Sequence, residues 1–426
     1  MFLQIHTLTS YHAALLNRDD AGLAKRIPFG GTERMRVSSQ CLKRHWRMAL
    51  VNKLSSGGDR KAISGYRTRY FFGRSVTPLV KDEIQDEEVV KDLTRELAIL
   101  LFMKSDARKK ALKDSDVKDL KAPDSMEERN GILEPSQPIL FGYPEARFLA
   151  NMIQEAAVDE NGRMRSKEDA RSELRANVAK NLENAKNGNA NLGSNFDALL
   201  ARGTWFAGIE GALFGRFITS DILARTDASV HVAHAFTVHA LDNEVDYFTV
   251  VDDLKEVGED AGAAHAGDME LGAGLFYGYV VVDVPLLISN LSGCDRSEWR
   301  SQPEAIGDAR EVITGLVNSI ATVSPGAKLG ATAPYARTDY ALLETGDTQP
   351  RSLANAYLNR LRPNGDVMQQ AVDTLGGYLR QLDGMYGVEG SRFIASTRDT
   401  DAVPEARRAP LNQTIESALD SIFGGA

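Results

Sequence analysis

The 426-residue chain carries 50 Lys and Arg against 59 Asp and Glu, a formal net charge of −9, with 43% hydrophobic residues. That length exceeds what one core needs and predicts several domains, or one domain with large insertions. The acidity excludes nucleic-acid binding driven by net charge, so any such site must come from local charge.

Two cysteines, Cys41 and Cys294, are too few to staple a chain this long and suit a reducing cytoplasm. The start, MFLQIHTLTS, lacks the basic and long apolar regions of a signal peptide. Leu275 to Ile288, the most apolar stretch, is broken by Asp283 and Pro285 and falls short of the roughly 20 residues a bilayer requires. A soluble cytoplasmic protein with no membrane partner is the expectation.

In chain order, Phe2 to Leu8 reads as a strand and is followed by the polar loop LNRDDAGLAKRIPFGGTER. Gly30 and Gly31 offer a sharp turn or a close backbone approach. Ser38 or Ser39 can cap a helix that meets no Gly or Pro until Gly57. From Lys81 to Asn195 the sequence is charged and helix-prone, a helical insertion with mobile loops. After Gly203 come the strand-like runs SVHVAHAFTV, VDYFTVV and GLFYGYVVVDV, then the loop SPGAKLGATAP. The C-terminal part is helical, with Ile415, Leu419, Ile422 and Phe423 on one face. An α+β architecture follows, its sheet built from the two ends of the chain.

Charge concentrates between Lys25 and Lys53. Lys25, Arg26, Arg34, Arg36, Lys43, Arg44, Arg47 and Lys53 stand against the single acid Glu33. On a helical wheel Gln40, Lys43, Arg44 and Arg47 share one face, while Leu42, Trp46 and Ala49 share the other. Arg34 and Arg36 alternate on the preceding extended segment and point one way. The helix N-terminus adds free N–H groups beside Ser38 and Ser39. The competing reading is a solvated helix face; lacking acids nearby in sequence, anion binding is preferred. A second basic run, YRTRYFFGR from Tyr66 to Arg74, interleaves Arg67, Arg69 and Arg74 with aromatics, which suits either a single strand or a core element with snorkelling arginines.

His231, His234 and His239 near Asp242, Asp252 and Asp253 have the composition of a metal site. Strand alternation would put His234 opposite the other two, which favours structural histidines. Phe276, Tyr277 and Tyr279 could stack bases, but their apolar surroundings favour core packing. Gly326, Ala327 and Lys328 lack phosphate-loop spacing; that loop lies near RNA or an adjacent subunit, or is a simple turn.

The same residues carry a resemblance. LNRDD (Leu16 to Asp20), FGG and RMRVSSQCLKR (Arg34 to Arg44) resemble the N-terminal signature of the CasC family, the RNA-binding backbone subunit of the type I-E CRISPR Cascade complex. FGRF, HVAHAFTVH, DYFTVVDDL, GLFYGY, SPGAK and SLANAY resemble later blocks in the same order, outside Lys81 to Asn195. The resemblance implies a modified ferredoxin-like, RRM-related palm (residues 1–60 and 230–426), a helical fingers insertion (61–203) and a β-hairpin thumb (204–229). It implies copies of the chain stacked in a helical filament along crRNA with other Cascade subunits, the guide being presented to target DNA. No catalysis, cofactor or metal is expected. Carried over by position, Arg18, Ser38, Gln40, Lys43, Arg44 and Arg47 would contact phosphate. Phe217 would be an apolar wedge, with Ile222 and Leu223 further out. Arg34, Arg36, Arg67 and Lys328 complete the expected RNA contacts. The alternative is a metal-dependent RNA nuclease of the same superfamily using Asp19 or Asp20, residues for which structural use in the loop is preferred.

Overall fold

The structure is a computed structural model describing residues 1–54, 65–113, 120–186, 208–216, 226–241, 243–250, 265–326, 329–362 and 364–424. It divides into two compact units: residues 1–50, 230–284 and 310–426 form one, and residues 51–229 and 285–309 the other.

The first unit is built on a ten-stranded sheet. Its elements in chain order are β1 (Phe2–Ala14), β2 (Arg26–Phe29), β3 (Thr32–Val37), α1 (Ser39–Leu54), β4 (Val230–Val232), β5 (Ala235–Thr237), β6 (Asn243–Val250) and β7 (His265–Asp283). They continue with α2 (Pro303–Thr322, from Arg310 in this unit), β8 (Tyr340–Gly346), α3 (Val367–Tyr386), β9 (Ser391–Ser396), β10 (Ala406–Arg408) and α4 (Leu411–Phe423). Neighbours run β10-β9-β8-β1-β7-β5-β3-β2, with β4 and β6 also on β7. Among the described strands of this sheet only β9 and β10 pair in parallel.

β1 outruns the strand expected from its apolar residues. Beyond Leu8 the pattern turns polar, yet Thr9, Ser10 and Tyr11 stay in register with Phe276, Leu275 and Gly274 of β7. Pairing with a long neighbour overrides local propensity here. Leu3, Ile5, His6 and Leu8 are all fully buried, so the strand is covered on both faces. On one face Leu8, Tyr277, Tyr340, Leu342 and Ile394 pack with Val372, Leu375 and Leu379 of α3, at the 3–4 spacing of an amphipathic helix. On the other, Thr7, Thr9, Phe276 and Val280 surround a cavity of about 30 Å³ with Leu42 and Trp46 of α1 and Ile320 of α2. Thr345 of β8 lies 3.0 Å from Ser421 of α4, whose Ile415, Leu419, Ile422 and Phe423 are buried as their spacing predicted.

A polar chain runs through the α3 face. Leu353 N–H donates to the Tyr277 hydroxyl (3.0 Å), which donates to His6 Nδ1 (2.9 Å). His6 Nε2–H then donates to Glu344 Oε2 (3.1 Å). Glu344 also accepts from Arg351 (2.8 and 3.1 Å) and Arg392 (3.1 Å), and Arg392 reaches Asp383 of α3 (2.7 Å). Burial lowers His6 from its ordinary value and keeps it neutral. Opposing its own burial, His6 and Arg351 hold Glu344 well below the usual carboxylate range.

The Gly30–Gly31 turn realises both uses expected of it. With φ of +63° and +72° it closes the β2–β3 hairpin in two residues, and a Cβ on Gly30 would lie 1.6 Å from the Leu358 carbonyl oxygen.

The second unit packs helices Glu87–Phe102, Tyr143–Ala157 and Lys167–Lys186 around Leu93, Leu97, Leu149, Ile153 and Leu174. Ion pairs lace the first helix to the third: Asp92 with Lys167 (3.3 Å) and Arg171, and Glu96 with Arg175 at 2.6 Å. Two short strand pairs interrupt the expected helical run, Gly65–Thr68 with Ile139–Gly142 and Met126–Arg129 with Ile132–Pro135. The second pair turns on Asn130 and Gly131, both at positive φ. Arg216 and Thr226 exchange two backbone hydrogen bonds (2.8 and 3.1 Å), joining the ends of segment 217–225, and the buried Arg216 donates to Glu145 at 2.6 Å. Among the described residues no helix is long and apolar enough to cross a membrane.

Candidate nucleic-acid interface

The cationic centre of the first unit is the start of α1. Ser38 caps the helix, its Oγ accepting Cys41 N–H (3.3 Å) and its carbonyl accepting Leu42 N–H (3.1 Å). Asn17 accepts the Ser38 N–H through Oδ1 (2.9 Å) and the Lys25 N–H through its carbonyl (3.0 Å), tying the Leu16 to Lys25 loop to the helix start. The next donor, Ser39 N–H, goes to His234 Nδ1 at 3.1 Å.

Three cations converge on this point. Arg36 sits 3.4 Å from His234 Nδ1 and also donates to the Arg26 carbonyl (3.0 Å). Partial desolvation lowers the His234 imidazole, and the charges of Arg36 and Lys25 lower it further. Burial likewise raises the Cys41 thiol against the opposing pull of Arg44 and Lys25, which puts both charges beside the first turn. Among the described residues neither Lys25 nor Arg44 makes an ion pair within 4 Å. With the positive dipole at the start of a 16-residue helix, this is a surface of positive potential in an acidic protein.

Along α1, Leu42, Trp46 and Leu50 are buried, Gln40 and Arg44 exposed, and Lys43 and Arg47 half-buried. The wheel therefore names the right inner face, and the exposed stripe runs from Gln40 through Arg44 to Met48. Arg18 is exposed in the loop that leads to Lys25.

One expected contact is corrected and another narrowed. Arg34 is fully buried because its side chain runs in under the backbone of Thr237, His239 and Tyr357. Its guanidinium donates to the carbonyls of Thr237 (2.9 Å), His239 (3.4 Å) and Tyr357 (3.1 Å). Ser38 is 6% exposed and its Oγ serves first as the helix cap, which leaves only its O–H to donate. Arg34 is structural. Arg34→Met should lower stability by about 3 kcal/mol, taking the guanidinium donor from three buried carbonyls, of which, among the described residues, only that of His239 keeps a second donor in the Thr237 hydroxyl, while the RNA affinity of the folded fraction stays unchanged. Chemical denaturation paired with an RNA titration checks this.

Arg26 is likewise neutralised, by Glu270 at 2.6 Å and Glu33 at 3.6 Å. Arg67 lies in the second unit, exposed on its short strand, with Tyr66 and Arg69 also exposed and Phe71 and Phe72 in the core. That run thus splits between its two readings. Phe217, Ile222, Leu223 and Lys328 lie outside the described residues, as do Asp242, Asp252 and Asp253.

The histidine run does not form one strand. It breaks at Ala233 and His234, so alternation fails, and His234 turns to the start of α1. His239 donates from Nδ1 to the Ala240 carbonyl (2.7 Å) and accepts Leu275 N–H at Nε2 (3.1 Å). Among the described residues no group of three His, Cys, Asp or Glu could hold a metal. Asp19 Oδ1 accepts the N–H groups of Ala21 and Leu23, both at 3.0 Å, and so shapes its own loop. Phe276 and Tyr277 are core residues. Lys25 and His234 were absent from the expected contact set; the signal for His234 was a histidine at a strand break, readable only once β5 meets β3.

A family profile described as CT1975-like protein matches residues 3–421. The chain belongs to the CT1975-like protein family. No curated protein matches it. Among solved structures, the CT1975-like chain is similar to one titled "CRISPR RNA-guided surveillance complex, pre-nicking", at 23% identity and a TM-score of 0.72, covering 99% of this chain and 100% of that one. A second, titled "CRISPR RNA-guided surveillance complex", matches at 19% identity and a TM-score of 0.54 with the same coverage. At these identities the likeness shows a shared fold.

Proposed function

We propose that this CT1975-like chain is the non-catalytic RNA-binding backbone subunit of a type I-E CRISPR Cascade complex. Copies polymerise along one crRNA, beside the other subunits, and present the guide for pairing with target DNA in antiviral defence. The observation that carries this reading is the cluster of Lys25, Arg36 and Arg44 around the start of α1, positive potential focused in a protein of net charge −9. The family and the titles of the two structural relatives support the setting. Strand order supports a ferredoxin-like palm: β1, α1, β4 with β5, β7, α2 and β8 follow one another, with β8-β1-β7-β5 adjacent in the sheet.

On this reading Arg18, Lys25, Arg36, Gln40, Lys43, Arg44 and Arg47 hold phosphates; Arg67, in the second unit, is a separate phosphate contact of the same proposal. Base edges stay free, because sequence is read by pairing. The wedge role of Phe217, Ile222 and Leu223 and the loop role of Lys328 belong to the same proposal.

Mixing the protein with labelled single-stranded RNA, with and without Mg²⁺, tests it. Salt-sensitive binding with the RNA left intact is expected. Cleavage that disappears in Asp20→Ala would overturn it in favour of the nuclease reading; the use of Asp19 Oδ1 in shaping its loop already favours a structural role for that residue.

A further inference from the structure

His234 stands at the break between β4 and β5. Its Nδ1 faces two groups that can only donate, Ser39 N–H at 3.1 Å and an Arg36 Nη1–H at 3.4 Å. Nδ1 must therefore hold a lone pair, and the proton of the neutral ring sits on Nε2. The side chain is exposed, and Nε2 has no hydrogen-bond partner among the described residues. The strand break that frees His234 is itself fixed, by Ala233 N–H on the Tyr279 carbonyl at 2.9 Å and by β5 pairing with β7 and β3.

We propose that His234 is a further RNA-contacting residue, presenting Nε2–H as a neutral donor to a backbone phosphate oxygen held among Lys25, Arg36 and Arg44. This rests on the RNA-backbone reading above and deepens it. Cations alone attract a phosphate from any direction, whereas a ring locked at Nδ1 by the helix start offers a donor of fixed bearing. His234 thus ties the position of the phosphate to the first turn of α1. The low imidazole value agrees, since protonation would set a second proton against the Ser39 donor.

The test is His234→Asn. Asparagine Oδ1 takes the place of Nδ1 and keeps the acceptor for Ser39, while nothing replaces the Nε2–H. The variant should melt with the wild type and bind a labelled oligouridylate about tenfold more weakly. The slope of log K against log salt should not change, because no charge is lost. In the ring ¹⁵N spectrum of the wild type, Nδ1 should resonate as an acceptor and Nε2 as the protonated nitrogen, with RNA shifting the latter. Equal RNA affinity in wild type and His234→Asn, or a proton on Nδ1, would overturn the assignment and leave the RNA-backbone reading standing. A wild-type protein that binds no RNA would sink both.

Discussion

Glu344→Gln is expected to destabilise the first unit by about 3–5 kcal/mol, the cost of breaking a buried ion pair, and to lower its melting temperature by about 10 °C. Glutamine fits the volume but leaves Arg351 and Arg392 without the charge that holds them, and Glu344 is only 2% exposed. Arg392 keeps Asp383, so the damage centres on Arg351 and the loop through Leu353 that crosses the sheet. The network also sets the acid response. His6 lies below its ordinary 6.5 in the folded chain, so its contribution is present above that pH and falls as pH drops. Glu344 lies below its ordinary 4.5, so its contribution is present above that value and disappears on further acidification. Thermal melts from pH 7 to 3 should show both limbs in the wild type, and the lower limb should be shallower in Glu344→Gln. A variant as stable as the wild type would show that the network is dispensable.

The second large effect concerns binding. Replacing Lys25, Lys43 and Arg44 together with Ala should weaken single-stranded RNA binding by about a hundredfold at low salt. It should also flatten the slope of log K against log salt by about 2, at roughly 0.7 per lost phosphate contact. Stability should hardly move, because Arg44 is exposed and Lys25 and Lys43 are half-buried. Fluorescence titrations at several salt concentrations read both quantities. Lower affinity with an unchanged slope would mean that the three residues shape the surface without touching phosphate.

Much of this was legible in the residues. Ser38, the uninterrupted run to Leu54 and the alternation of Leu42 with Lys43 and Arg44 announce α1 and its two faces, because capping and amphipathicity are local. The four apolar positions of α4 are local in the same sense. What stayed hidden depends on partners far along the chain. Arg26 finds Glu270 across 244 residues and His6 finds Glu344 across 338, and no local pattern foretells either pair. Arg34 looked like Arg36 by alternation; the burial of one and the exposure of part of the other follow from the backbone of Thr237, His239 and Tyr357, under which Arg34 runs. The hairpin at Asn130 and Gly131 was legible and missed, since an Asn-Gly pair between short apolar strands is a strong turn signal even inside a helix-rich stretch.

The chain is acidic overall, and Arg26 is already neutralised by Glu270, so the field at α1 comes from Lys25, Arg36 and Arg44 acting with the helix start. Such focusing favours an anion that fits the cluster over nucleic acid at large.

The most direct test is to co-express the chain with a defined guide RNA, purify it, and measure the mass and RNA content of what elutes. The account predicts an ordered ribonucleoprotein in which the number of protein copies grows in fixed steps with guide length and the RNA remains uncut. An RNA-free protein of unchanging mass, from cells that make the guide, would contradict it.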